Sequence, residues 1–306
     1  MKHAALLPLM LLVVTGCGKK DAPAPAAAAP AAPAKVSEAT GLSTPESVLW
    51  DAEQQVWFVS NIDGSPVAKD GNGFISRLTA DGAIDSLHFV MGGRGGVTLN
   101  APKGMALVGD TLWVTDIDAI RGFDRKTGAL VASVELGAQA KFLNDAVTGP
   151  DGTVYITDTG VGMDAQGNFI HPGPDRIFAL KGRTATVAAE GDWLERPNGI
   201  AWDGANNRYL VVPFGGSALL GWAPGAAKGD SLAAGPGMQD GVEILNGQTL
   251  VTSWADSSVF VMDPAGPRKL ITGVNSPADL GADQVRGLVA IPLFLENRVE
   301  FWRVGQ

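Results

Sequence analysis

Short runs of β-branched, aromatic and aliphatic residues, each closed by a turn rich in Gly, Pro, Asn or Asp, follow one another from Val36 to the end of the chain, and such runs read as strands. The runs repeat. Six stretches can be laid over one another: Pro45-Glu46-Ser47-Val48, Pro102-Lys103-Gly104-Met105, Leu143-Asn144-Asp145-Ala146, Pro197-Asn198-Gly199-Ile200, Gln239-Asp240-Gly241-Val242 and Pro277-Ala278-Asp279-Leu280. Each opens an apolar run, and one slot holds Glu46, Lys103, Asn144, Asn198, Asp240 and Ala278 in turn. After every slot comes a turn and a second run, ending at Asn61, Asp116, Asp158, Pro213, Trp254 and Pro292. A third run follows in each copy, over residues 73–78, 120–124, 176–180, 218–222, 259–262 and 298–302.

Copies spaced about 40 to 55 residues apart match the ~40–50 residues of a propeller blade. The expectation is an all-β six-bladed propeller of four-stranded antiparallel blades, an arrangement that leaves only short sheet edges exposed. The chain ends after the third run of the sixth copy, so residues 36–42 are expected to supply the missing strand and close the ring. The slot residues then open the innermost strands and meet on the axis. Trp57, Trp113, Trp202, Trp222 and Trp302, inside strand runs, are expected between blades.

Composition adds a tethered organisation. Met1-Lys2-His3, an apolar stretch over residues 4–14 and Val14-Thr15-Gly16-Cys17 form a charged start, a greasy segment too short to span a bilayer, and a small-residue cleavage point. The expected division is a signal peptide over 1–16, an Ala/Pro-rich tether over 17–35 with too little apolar surface to fold, and a propeller over 36–306. Cys17 is the only cysteine, so the folded part has no disulfide. The formal net charge of −9, with no basic run beyond Lys19-Lys20, argues against nucleic acid as a partner.

Glu46, Asn144, Asn198 and Asp240 offer carboxylate and carboxamide oxygens from four blades, the donor set of a hard cation: calcium first, magnesium or manganese next. Only three histidines are present, one of them His3, which excludes a zinc site of imidazole and thiolate. Lys103 shares the slot. Three readings of it stand open: a salt-bridged plug in a metal-free channel, a binder of a substrate carboxylate or phosphate, or a side chain that bends away to solvent.

The openings Thr44-Pro45-Glu46-Ser47-Val48-Leu49-Trp50, Phe142-Leu143-Asn144-Asp145, Arg196-Pro197-Asn198-Gly199-Ile200-Ala201-Trp202-Asp203 and Asp240-Gly241-Val242 resemble successive blade openings of the senescence-marker-protein, gluconolactonase and luciferin-regenerating-enzyme family. The paraoxonases are similar in layout, and domains of NHL repeats more distantly. The resemblance implies that Glu46, Asn198 and Asp240 ligate one divalent cation, most simply Ca2+, with Asn144 as a ligand or substrate contact and Asp240 as general base. It implies hydrolysis of a small-molecule lactone or ester. Phe142 stands where the animal lactonases of this family place a sugar-gripping arginine, which points to a more apolar substrate. Val14-Thr15-Gly16-Cys17 resembles the lipobox of bacterial lipoproteins. It implies acylation of Cys17, membrane attachment through lipid alone and a place in the cell envelope, on the periplasmic face of the outer membrane in a Gram-negative source.

Long loops after Asn61 and Asp158 are expected at the mouth, where specificity resides. His171, before Pro172-Gly173-Pro174, is either a general base or substrate contact, or a loop histidine without a task. Trp254 is either a wall of the mouth or core. Asp70-Gly71-Asn72-Gly73 reads as a turn. Two functions remain open for a monomeric domain of this kind: a calcium-dependent lactonase or esterase, or a non-catalytic NHL-like propeller binding a ligand or partner protein at the same face.

Overall fold

The computed structural model describes residues 1, 32–263 and 265–305. The leader, Cys17 and nearly all of the expected tether lie outside the described residues. From Ala34 on, six four-stranded antiparallel sheets form the blades. The innermost strands are Pro45–Asp51, Pro102–Val108, Leu143–Thr148, Pro197–Asp203, Gln239–Leu245 and the short Gly281–Asp283. Each lies beside the innermost strands of both neighbours, so the ring is closed. Ala34–Thr40 pairs with Arg298–Arg303 as the outer strand of the sixth blade. This closing strand begins two residues ahead of the expected range, drawing Ala34 and Lys35 out of the tether.

No single core holds the ring. Six hydrophobic clusters occupy the interfaces between successive blades. Aromatic pairs across an interface fix the seams: Trp57 meets Phe301 at 5.5 Å between blades one and six, and Tyr155 meets Tyr209 at 4.5 Å between blades three and four. Trp57 and Trp222 are fully buried, which agrees with the packing role read from their strand positions.

Hydroxyls on second strands tie the blades together close to the axis. Thr157 Oγ1 accepts the Asp145 N–H at 3.0 Å within its blade and donates to the Asn198 carbonyl of the next at 2.6 Å. Thr115 donates to the Asn144 carbonyl at 2.5 Å and Thr252 to that of Ala278 at 3.1 Å. These bonds satisfy backbone groups that the irregular start of each innermost strand leaves unpaired. The residue after the slot is glycine in three copies because the next blade comes too near for a side chain. A Cβ on Gly104 would lie 2.4 Å from Asp145 Cα, and one on Gly199 would lie 2.5 Å from the Asp240 carbonyl oxygen.

Where that residue is acidic, the channel carries buried carboxyls at the end away from the slots. Asp145 accepts the Ile200 N–H at 2.7 Å, and Asp279 accepts the Ser47 hydroxyl at 2.5 Å; both line a cavity of about 360 Å3 together with Glu243. Burial pushes Asp145 up to about 7 against its two backbone hydrogen bonds. Asp279 is raised well above the usual range by burial and then by Asp145 and Glu46.

Two outcomes follow for the metal-free protein. Thr157→Val removes both bonds of one tie and should cost about 1–3 kcal/mol in chemical denaturation; an unchanged midpoint would contradict the tie. The folded-state pKa values of Asp145 and Asp279 lie above the ~3.9 of an unfolded aspartate, so their stabilising contribution is complete below that value and is lost as pH rises through about 7. The melting temperature should fall between about pH 4 and pH 7, and fall less in Asp279→Asn; a rise across this window would refute the assignment.

Candidate metal centre and substrate cavity

At the head of every innermost strand the pairing slips by one residue. Pro45 faces Asn61 but Ser47 faces Ser60, and the same shift falls between Pro102 and Met105, Leu143 and Ala146, Pro197 and Ile200, and Gln239 and Val242. The sixth copy repeats it between Pro277 and Gly281. Each slip is a β-bulge, which re-aims a side chain, and the slot residue lies inside it in every copy. Glu46, Lys103, Asn144, Asn198 and Asp240 are all buried and all line one cavity of about 430 Å3. Ala278 is buried in the sixth position and brings no polar group.

The register corrects two strand ends. The residue opposite the one before the slot is Asn61, Asp116, Asp158, Pro213, Ser253 and Leu293, so Trp254 and Pro292 are each one residue out of phase. Trp254 belongs instead to a second ring. Its N–H donates to the carbonyl two residues before its slot, at Met238, and Ile62, Thr159, Phe214 and Phe294 make the same bond in their copies. All five line the cavity, joined by Pro66, Val161, Phe169 and Leu295 from the loops. Trp254 packs between Phe214 and Phe294, with ring centroids 6.0 and 5.3 Å away. Sequence reading misses this ring except for Trp254, although an apolar residue one step past the second strand in four of its five copies is its signal.

The floor is polar and incompletely paired. Glu46 Oε2, Asn144 Oδ1, Asn198 Oδ1 and Asp240 Oδ1 are buried with no hydrogen-bond partner among the described residues. Buried polar atoms are normally paired, and four orphan oxygens from four blades at one cavity form the donor set that a hard cation satisfies. The residues therefore fit the cation that the sequence implied. Asn144 is aimed by Thr159, whose hydroxyl accepts its Nδ2 at 3.0 Å and donates to the Pro197 carbonyl at 2.8 Å. Glu46 is pushed well up by burial and then by the charge of Asp240, with Lys103 opposing. Burial raises Asp240 to about 8, opposed by the indole of Trp254 and the carboxamide of Asn198. A cation among these oxygens would favour both ionised carboxylates.

Lys103 does not escape to solvent. It is 1% exposed, with Nζ 3.0 Å from the Ala101 carbonyl and 4.2 Å from the centre of the Phe142 ring. Among the described residues it also lacks the ion pair of a salt-bridged plug. The charge of Glu46, and after it those of Asp116 and Asp158, hold its pKa up, but Glu46 makes no hydrogen bond to it and the oxygens of the two aspartates are spent on backbone N–H groups: those of Asn100 and Ala101 for Asp116, and of Lys141, Phe142 and Gly160 for Asp158. Burial outweighs these charges and brings the ammonium down to about 8.

His171 is not part of the cavity wall. It lines an adjoining cleft with Asp175, Asp192, Glu195, Arg196 and Gly215, and its Nε2 lies 2.6 Å from Asp175 Oδ1. A partner four residues along was in the sequence and went unread. Arg196, which lines both spaces, was also missed as a site residue.

Known proteins share this architecture. A gluconolactonase from Xanthomonas campestris superposes with a TM-score of 0.63 at 18% identity, over 87% of this chain and 88% of that one. A putative gluconolactonase gives 0.64 at 16% identity, covering 89% and 92%. A chain from a nidogen/laminin complex gives 0.57 at 20% identity, covering 74% and 80%. At these identities the likeness shows the fold. No curated protein matches at the level of sequence. The sequence profile described as SMP-30/Gluconolactonase/LRE-like region matches residues 44–212, which span the first four slots and their bulges. The chain belongs to the SMP-30/gluconolactonase/LRE-like family.

Proposed function

We propose that this protein is a lactonase or ester hydrolase that depends on a divalent cation, most simply calcium, held at the floor of the central cavity by Glu46, Asn144, Asn198 and Asp240. The observation that carries the proposal is the set of four buried oxygens without partners. The gluconolactonases among the structural neighbours support the reaction class. When bound, the cation supplies polarisation of a carbonyl and acidification of a water.

The chain's own groups supply the rest. Asp240 serves as general base toward the attacking water, and a cation beside it would keep its carboxylate ionised for that role. Asn144, fixed by Thr159, and Asn198 orient the reacting end of the substrate. The apolar wall of Ile62, Phe142, Phe169, Phe214, Trp254 and Phe294 takes the substrate's body and excludes water. Acylation at Cys17 would attach the domain to the cell envelope.

The alternative is a non-catalytic propeller that binds a ligand or protein at the same face. Lys103 inside the slot ring favours it, and a propeller in the nidogen/laminin complex shares the fold. Metal binding separates the two readings. Calcium added to chelator-treated protein should raise the melting temperature in proportion to the logarithm of its excess over Kd. Glu46→Gln, Asn198→Ala and Asp240→Ala should each weaken calcium binding at least about tenfold. Asp240→Asn should lower hydrolysis of apolar lactones or phenyl esters by a factor of ~100 or more. Protein that takes up no metal, or that hydrolyses these esters equally well in chelator, would leave the binder as the correct reading.

A further inference from the structure

Lys103 has no counterpart in the ion-pair chemistry of the rest of the molecule. The buried side chains that carry a full positive charge among the described residues are Lys103, Arg121 and Arg125. Arg121 pairs with Glu135, and Arg125 pairs with Asp51 and Glu53. Lys103 makes no ion pair among the described residues. Its one hydrogen bond, to the Ala101 carbonyl, uses one of the three donors of an ammonium. The ring of Phe142 offers a cation–π contact at 4.2 Å, a weaker substitute for an anion. A buried charge in this condition is costly unless something completes it, and this one lines the cavity that the proposed function uses.

Charge balance says what completes it. Among the buried side chains that line the cavity, Glu46 and Asp240 bring two negative charges, Lys103 one positive charge and a divalent cation two more, which leaves one positive charge over in a largely apolar chamber; Asp116 and Asp158 lie behind this wall with their oxygens held by backbone N–H groups. A neutral ester leaves that excess standing. A monoanion cancels it.

We infer that the cavity selects ligands with a carboxylate group on an apolar or aromatic body, and that the Lys103 ammonium receives the carboxylate while Phe142, Phe214, Trp254 and Phe294 hold the body. The inference rests on the cation-bearing cavity proposed above and deepens it to a substrate class, an apolar lactone or ester that bears a free carboxylate. The hydrolysed acid also carries a carboxylate, so the same ammonium would retain product of this class. Arg196, exposed at the rim, is too well solvated to set the preference.

Phenylacetate and its neutral isostere phenylacetamide test this without turnover. Each is titrated into the purified full chain by calorimetry at fixed excess calcium and pH 7, after calcium uptake has been measured alone. Phenylacetate should bind at least about tenfold more tightly than the amide, the scale of one charge-assisted hydrogen bond. Lys103→Met should keep its calcium and reduce that ratio to about threefold or less, while Arg196→Met keeps the preference. Equal binding of the two compounds by the unaltered protein overturns the inference, a comparison that needs no variant to fold. A preference that survives in Lys103→Met, or that vanishes in Arg196→Met alone, overturns it as well. Calcium uptake without the preference defeats this inference and leaves the hydrolase reading standing; failure to take up calcium defeats both.

Discussion

Six one-residue slips in strand pairing make this molecule's centre. An inner strand that paired regularly from its first residue would send alternate side chains to the two blade interfaces and none to the axis. The extra residue at each head turns one side chain inward and leaves its neighbours' backbone groups without ladder partners. The threonine ties, the glycines and the aspartates Asp116 and Asp158 answer that deficit. They hold the bulges rigid, and rigid bulges hold five polar side chains against one cavity.

The arrangement concentrates polar groups where the fold provides no partners for them. Elsewhere the blades are joined by apolar seams whose side chains satisfy one another. On the axis, two carboxylates, two carboxamides and an ammonium sit in a small volume with much of their bonding capacity unused. Burial pushes the carboxyls upward and the ammonium downward, so every ionisable group there is held away from its ordinary range. Such a cluster stores electrostatic free energy that a cation and an anionic ligand together would release.

Much of this was legible in the sequence because the repeat puts chemically different residues in one slot, and a slot that tolerates Glu, Lys, Asn and Asp cannot be core. Blade number, ring closure near Val36 and the placement of Glu46, Asn144, Asn198 and Asp240 at one cavity all come from that periodicity. The wall ring was less visible, since Ile62, Phe214 and Phe294 look like ordinary apolar residues beside a turn, and only the carbonyl bond that fixes each one shows their equivalence. Trp254 was therefore placed one residue early, as a strand end. The fate of Lys103 depended on a flexible four-carbon stem, and spacing along the chain does not say where its ammonium comes to rest. For His171 the sequence left two readings open: its loop lies near the mouth, but the hydrogen bond to Asp175 turns it into a neighbouring cleft.

The most direct test is an anomalous difference map from crystals grown in calcium and in a lanthanide that replaces it. The account predicts a single strong peak within about 2.3–2.6 Å of oxygens from Glu46, Asn144, Asn198 and Asp240, with Lys103 Nζ still against the Ala101 carbonyl. An empty floor with Lys103 drawn into an ion pair with Glu46 or Asp240 would contradict it.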